Sequence, residues 1–522
     1  MTRNYRHLLS GFLMLFASQI YAQSYVQSAL IFSRTNPGGS ARIKGIGGAQ
    51  TSLGGDYSSA YSNPAGLGFF NRNEFTVSPS LNFSNVSSDF LLGDSLIANQ
   101  STSQTNFTLP GISVVFHNDF SGESNSVISG NFAISLNRIN DFNSSFNYRG
   151  TNPYSSIINA FIVTANGQNS SQFSNSGDQY LTPTWLAYQN FLIGDSSINK
   201  VGGNPNAYFT DATQLPYYRN GVPTQSESVQ TSGGQNQINV GYGINVQDKL
   251  FLGASLGITS LRYSSRKSYK EKFDSGPLAS LNLTESLDVT GSGFNLTIGT
   301  IYKPIDYAQI GLAISTPTFY TLSDTYIGDM STVWKNYTYY LSPTDNTKFV
   351  KLNNESASTE ELTTNYTLST PWKFNGGITF LLAKRGFVSA DLEYINYGGS
   401  SYNSATDGVS FDDANSGIKS AYKSVFNIRV GAEYRIKNFR ARAGYSSMPD
   451  PSSSIRKSTV GDINSFTFGG GYRTQKFYID AGVVIAQTSG TYRPYPVPWE
   501  KTPIVKNSIT NSSVVFTVGF PF

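Results

Sequence analysis

The chain has 522 residues, with 37 Lys and Arg against 33 Asp and Glu, a formal net charge of +4, and no cysteine. The missing cysteine excludes disulfide staples, thiolate metal sites and cysteine nucleophiles, and no lysine- or arginine-rich run points to nucleic acid. Charged residues are only 13% of the chain, aromatic residues 14%, and glycine numbers 49, a balance that suits a membrane β-barrel and, less specifically, a soluble sandwich or solenoid.

Residues 1–22 read as a secretory signal peptide. Arg3, Arg6 and His7 give a positive start, Leu8 to Ile20 is a short apolar core, and Ala22 is a small residue at the cleavage point. The apolar run is too short for a spanning helix. No cysteine follows it to take a lipid anchor.

Residues 23–73 do not alternate. They are rich in small residues, from Gly38-Gly39-Ser40-Ala41 through Gly45-Ile46-Gly47-Gly48 to Gly54-Gly55-Asp56, and close on Asn63-Pro64-Ala65-Gly66-Leu67. Such a segment cannot face lipid, but its glycines let it fold compactly inside a lumen. Gly45-Ile46-Gly47 lacks the third glycine and the preceding buried strand of a dinucleotide fingerprint.

From Glu74 onward the chain reads as an all-β, closed antiparallel barrel over 74–522. Fourteen strands are expected, beginning near Glu74, Gln104, Ser126, Gln235, Leu250, Leu287, Tyr307, Glu361, Phe387, Val425, Phe439, Ser465, Phe477 and Ser512. Their period is two: Phe426, Ile428, Val430, Ala432, Tyr434 and Ile436 alternate with Asn427, Arg429, Gly431, Glu433 and Arg435. Tight turns (Val246 to Leu250, Tyr302 to Tyr307, Ala383 to Phe387, Ile436 to Phe439, Arg473 to Phe477) alternate with long polar connections. Those connections are Asn143 to Gly234, Ser265 to Glu285, Thr321 to Glu361, Gly398 to Lys423, Met448 to Ile463 and Ser489 to Thr510. Outer-membrane barrels sort their connections this way, short on the periplasmic side and long outside. Pro371 interrupts the eighth strand. The insertion at 143–234 is Ser-, Asn- and Gln-rich with short apolar pieces, so a structured extracellular cap and a mobile loop both remain open. At the end, Val514, Phe516, Val518, Phe520 and Phe522 recur at every second residue. About nine tilted residues suffice to cross a bilayer, and the aromatic last residue resembles the signal read by the barrel-insertion machinery.

Asn-Pro-Ala-x-Leu at Asn63 to Leu67, after a Gly/Ser/Ala segment and Asp56, resembles the N-terminal hatch of the FadL/TodX family. Similar stretches are Gly311 to Phe319, Thr370 to Lys373 and Val388 to Tyr394. The resemblance implies an outer-membrane transporter of long-chain fatty acids or other hydrophobic compounds in Gram-negative cells: a 14-stranded barrel plugged by residues 23–73. Asp56, Asn63, Pro64, Ala65 and Leu67 would be hatch or gating residues. Ligand would pass from extracellular loops to an apolar pocket, and leave after a hatch movement or sideways at a kinked third strand, with Gly130 and Asn137 to Asn140 as candidates for the kink.

Strand parity sends Arg429, Glu433, Arg435, Arg440, Arg442, Arg473, Asp480, Asp391 and Glu393 inward. They could hold a carboxylate head group, or pair among themselves and clamp the hatch, as a plugged polar interior requires. Asp391 and Glu393 are better explained by nearby arginines than as a hydrolase pair. His117, expected at a turn, does not make a lipase triad. No cofactor or metal is expected. The expected partners are membrane lipids and lipopolysaccharide, a hydrophobic ligand and the insertion machinery. The rival reading is an accessory or scaffold barrel in an outer-membrane secretion or assembly complex, and an open polar porin is disfavoured by the hatch.

Overall fold

A computed structural model describes residues 25–36, 38–120, 126–174, 182–195, 206–212, 222–342, 344–383, 385–405, 409–453, 461–495, 497 and 502–522. The expected signal peptide, 1–22, lies outside the described residues.

Period-two alternation from Glu74 onward folds as one closed sheet of fourteen antiparallel staves. They are β1 (Glu74–Leu92), β2 (Ser95–Asp119), β3 (Val127–Asp141, continued by Ser144–Thr151), β4 (Thr224–Val246), β5 (Leu250–Lys272), β6 (Leu278–Ile305) and β7 (Ala308–Ser315, continued by Phe319–Tyr340). There follow β8 (Leu362–Ser369, continued by Lys373–Leu381), β9 (Gly386–Asn396), β10 (Ser424–Ile436), β11 (Phe439–Met448), β12 (Ile463–Arg473), β13 (Tyr478–Tyr492) and β14 (Pro503–Pro521). The barrel closes where β1 pairs with β14, from Glu74 opposite Pro521 to Leu92 opposite Pro503. Closure leaves no free edge at that seam. Short turns join the staves at one end. Gln247 and Asp248 both take φ 55°, Ala383 φ 51° and Lys437 φ 52°, the left-handed geometry that matches the twist of a tight hairpin.

The outer face carries an apolar belt. Ile428, Val430, Phe466, Phe468, Ile479, Phe516 and Phe520 are all exposed, Phe468 by 55% and Phe516 by 45%, while the residues between them point into the lumen. Exposed side chains this apolar, on every second residue, suit hydrocarbon rather than water. Replacing Phe466, toward the outer edge of the belt, by lysine is expected to destabilise the inserted barrel by about 1–2 kcal/mol, below the roughly 2–4 kcal/mol of a midplane lysine. Urea-dependent folding into phosphatidylcholine vesicles would measure it.

The staves are taller than the belt. On β5 the outward residues run Leu252, Ala254, Leu256, Ile258 and then Ser260 and Arg262, but the ladder with β6 continues to Lys272 opposite Ser280. The expected connections Ser265 to Glu285 and Thr321 to Glu361 are therefore mostly paired strand, the latter including a further strand, Phe349–Ser358, against β7. Above the belt the outer face leaves the hydrocarbon layer, so the apolar alternation stops while the backbone bonds go on.

The insertion at 143–234 is a packed cap in its described parts. It holds α4 (Ile157–Ala165) and α5 (Pro183–Gln189). Ser156 caps α4 in a reciprocal capping box with Asn159, and buried Glu271 of β5 accepts from the Ile157 amide at 3.0 Å. Ile158, Phe161, Trp185 and Leu186 pack on Phe90, Tyr269, Leu281, Trp334 and Tyr495. Proline breaks two neighbouring staves at one level. β7 is interrupted at Pro317 and β8 at Pro371. The freed groups are satisfied across the break, Thr370 N donating to Thr318 O at 3.1 Å and Thr318 N to Thr370 Oγ1 at 2.8 Å.

Candidate functional site

The segment before β1 fills the lumen as α1 (residues 25–33), then α2 (Ala41–Gly45), α3 (Ser59–Ser62) and a 3-10 helix, Pro64–Phe69. Local capping sets its shape. Ser40 caps α2 and donates to Asp56 Oδ2 at 2.5 Å, and Asp56 also accepts from Ser58 N at 3.1 Å and Ser58 Oγ at 2.7 Å. Asn63 Oδ1 accepts from Ala65 N at 3.1 Å and its Nδ2 donates to Thr51 O at 2.6 Å, closing the loop between residues 51 and 63. Pro64 opens the 3-10 helix, where its missing N–H is harmless. Ala65 packs on Phe251 and Ile301, and Leu67 on Ala60, Phe70, Val115 and Ala133.

The wall receives this plug in two ways. One is a belt of inward glycines: Gly243 and Gly253, Gly311 and Gly377, Gly431 and Gly444, and Gly469 and Gly482 face each other across neighbouring staves. A Cβ on Gly253 would meet Pro64 at 2.3 Å, on Gly311 Thr51 O at 2.2 Å, on Gly431 Ile46 O at 2.2 Å, and on Gly482 Ala41 O at 2.7 Å. The other is polar. Asp391 Oδ2 accepts from Gln50 N at 2.7 Å and Thr51 N at 2.8 Å. Thr517 Oγ1 accepts from Ala41 N at 2.7 Å, and Thr467 Oγ1 donates to Gly45 O at 3.1 Å.

Two charge networks complete the wall. Glu433 pairs with Arg442 Nε and Arg435 Nε, each at 2.8 Å, and with the hatch's Arg42 Nε at 3.6 Å; Arg442 Nη1 reaches Asp480 at 2.6 Å. Glu393 accepts from Arg429 Nη2 and Asn427 Nδ2, both at 2.7 Å. Arg440 and Arg473 stand apart from both networks. Arg440 donates to the carbonyls of Lys437 and Phe439 in its own turn, and exposed Arg473 lies 4.3 Å from the Tyr478 ring. Both sit at the turn end, where the lumen meets water.

A cavity of about 250 Å³ remains between the hatch and the wall. Its lining is chiefly Ser, Thr and Asn, with Ile139, Phe83, Val484 and Val515 among the apolar members. It therefore differs from the apolar pocket expected. The apolar space higher in the lumen is filled by the chain itself, where Val26, Leu30 and Tyr25 of the first helix pack on Tyr366, Tyr402, Phe411 and Ile418. Lys44, at the end of α2, lines the cavity, and no ion pair holds its ammonium among the described residues. Burial, with the Arg429 guanidinium nearby, lowers its pKa to about 8.

The cavity also touches an interruption in the wall. β2 and β3 pair only from Gly111 opposite Asn137 to Asp119 opposite Ser129, and β3 bulges against β4 between Arg138 and Asn140. Beyond that point, among the described residues, β2 pairs with β1 alone, and side chains bridge to the third stave, Asn106 Nδ2 to Asp141 Oδ2 at 3.2 Å and Asn147 Nδ2 to Thr102 Oγ1 at 3.4 Å. Gly130 lies in the regular ladder, opposite Asn118 and Ile244, and not at the interruption. A missing hydrogen-bond partner strand, rather than a glycine, is what breaks the seam. Arg42, Lys44 and the glycine belt are site features that strand parity did not single out. The two cations stand out only as two of the few charges, with Arg34, Asp56 and Arg72, of an otherwise small-residue segment.

A FadL homologue of Pseudomonas aeruginosa shares the fold, with a TM-score of 0.51 at 13% identity over 94% of this chain and 99% of that one. The toluene transporter TodX of P. putida aligns with a TM-score of 0.48 at 14% identity over 93% of this chain and 99% of its own. No curated protein sequence matches at a significant level. The family described as outer membrane protein transport protein (OMPP1/FadL/TodX), whose members are transport proteins and not enzymes, matches residues 215–520, and the chain belongs to it.

Proposed function

We propose that this barrel passes amphipathic molecules with an anionic head and an apolar tail, long-chain fatty acids being the type, across the outer membrane by passive diffusion controlled by the hatch. One observation carries the reading: the cavity of about 250 Å³ lies between Lys44 of the hatch, which has no ion pair among the described residues, and the interrupted seam of β2 and β3. An ammonium and a wall of hydroxyls and amides hold a charged head, and the open seam gives a tail a way toward lipid. Release then needs only a displacement of the hatch, because no energy source is required for a downhill path.

Two measurements test it. Uptake of labelled oleate should fall when the chain is deleted and recover when it is restored; uptake unchanged by deletion removes the transport reading. Binding of decanesulfonate, whose charge does not vary with pH, should weaken by up to about tenfold from pH 7 to pH 9, as Lys44 loses its proton through about 8. A Lys44→Gln variant should bind weakly at both pH values with a flat profile. The protonated ammonium is the form that binds the anion, so affinity falls as pH rises through about 8.

The scaffold reading keeps one specific support, the staves and cap that rise above the apolar belt. Co-purification of stoichiometric partners from mildly solubilised membranes would favour it.

A further inference from the structure

Above the apolar belt, β5 sorts its charges by face. Lys267 and Glu271 point inward, where Lys267 has Glu227 and Glu285 as neighbours. Outward stand Arg262, Arg266, Lys270 and Lys272, all exposed and on one face of one stave. The residues directly opposite them carry no charge. On β4 these are Gly234, Gln230, Ser226 and Thr224, and on β6 Thr290, Ser286, Asn282 and Ser280. Arg149, exposed on the continuation of β3, registers with Ser226 and adds a further cation in the row of Lys270. Three carboxylates share the patch: Asp288 pairs with Arg266 at 3.0 Å, Asp141 pairs with Arg138 at 3.5 Å, and exposed Asp329 of β7 stands opposite Thr284, two staves from β5. Among the described residues, Arg149, Arg262, Lys270 and Lys272 take part in no ion pair.

Height decides what such a ladder meets. A tilted strand climbs about 2.5 Å per residue. Arg262 therefore stands roughly 10 Å above Ile258, the last lipid-facing apolar residue on this stave, and Arg266 and Lys270 roughly 20 and 30 Å above it. Those levels are the head-group region of the outer leaflet and the sugar layer over it. The guanidinium fork matches phosphate oxygens in pairs, and the cations are spaced up one tilted stave, at successive heights, rather than around the barrel at one level.

We propose that the outward face of β5, with Arg149 beside it, binds the phosphate groups of the outer-leaflet glycolipid, lipopolysaccharide. The inference rests on the outer-membrane setting of the family and stands apart from any transported ligand. An anionic glycolipid seated here holds the tall staves of β4 to β6 against the surface and fixes which side of the barrel faces its densest neighbours.

The test uses the full chain, freed of lipid and placed in phosphatidylcholine nanodiscs, with fluorescent lipopolysaccharide added. Binding should weaken as salt rises, since screening reaches exposed charges first. The triple variant Arg262→Gln/Arg266→Gln/Lys270→Gln should bind at least tenfold more weakly, and Arg262→Gln or Arg266→Gln alone should weaken binding measurably. Lys335→Gln/Lys351→Gln, on the exposed strands that follow the break in β7, should bind as the wild type does. Dephosphorylated lipopolysaccharide should bind the wild type no better than intact material binds the triple variant. Equal affinity of wild type and triple variant, or wild-type binding that ignores the phosphates, overturns the proposal. Heat-dependent gel migration shows in the same samples that each variant keeps its barrel.

Discussion

Replacing Arg442 by methionine should destabilise the barrel by about 3–5 kcal/mol and loosen the hatch. Arg442 is the centre of the larger network, 2.8 Å from Glu433 and 2.6 Å from Asp480, with side chains only 2–3% exposed. Glu433 would keep Arg435 and Arg42, but Asp480 would lose its only ion-pair partner among the described residues. Removing one member of a buried set costs far more than the set itself contributes, because the remaining charge has neither water nor a partner. The companion variant Arg442→Met/Asp480→Asn should recover a large part of the loss, since it removes the orphaned carboxylate as well. Arg442→Lys keeps the charge but not the fork, and should fall between the two. The midpoint of heat-dependent gel migration reports stability, and conductance in planar bilayers reports the hatch. If Arg442→Met matched the wild type in both, Glu433 and Asp480 would have to be held by something other than Arg442.

The parts of this fold readable in the sequence are those where lipid dictates the residue. On β10 a lipid-facing position must be apolar and a lumen-facing one need not be, so Ile428 and Val430 separate cleanly from Arg429 and Glu433. The tight turns are legible for a similar reason, because they leave no room for error between two such alternating runs. Above the belt that contrast vanishes. Ser265 to Lys272 mixes charged with polar residues, reads as loop, and is strand only because its backbone bonds to β4 and β6 persist. Pro371 is readable as a break because proline lacks a donor. Its partner break at Pro317 is not, because it lies in a run that resembles a continuous strand. The hatch residues Asp56 and Asn63 mark themselves as turn and cap formers. That Arg42 meets Glu433, or that Asp391 takes two hatch amides, depends on which stave faces which turn of the plug, and local pattern carries none of that. The wall glycines were silent for another reason: a glycine in a strand reads as weakness, whereas here the absent Cβ makes the plug's seat.

Gly431→Val is accordingly expected to undock the hatch while sparing the barrel. A Cβ at Gly431 would stand 2.2 Å from Ile46 O and 2.6 Å from Ile46 Cβ, and its cross-strand partner Gly444 is no roomier, at 2.3 Å from Ile46 C. Both walls of the contact are backbone, so no rotamer change relieves it, and the loss should reach about 3 kcal/mol or more. The hatch cannot retreat without stretching its neighbouring anchors, the Gln50 and Thr51 amides on Asp391 and Arg42 on Glu433. The variant should therefore show raised conductance in planar bilayers and faster proteolysis between residues 38 and 56, at unchanged sheet content. Gly470→Val is the matching control. Gly470 faces outward on β12, and its Cβ would meet nothing nearer than Arg440 O at 4.0 Å. A branched side chain suits a lipid-facing strand position, so this variant should keep both low conductance and wild-type stability. Equal behaviour of the two valines would mean that the hatch does not rest on the wall at Ile46. A leak confined to Gly431→Val would fix backbone contact, rather than the salt bridges alone, as what keeps the lumen closed.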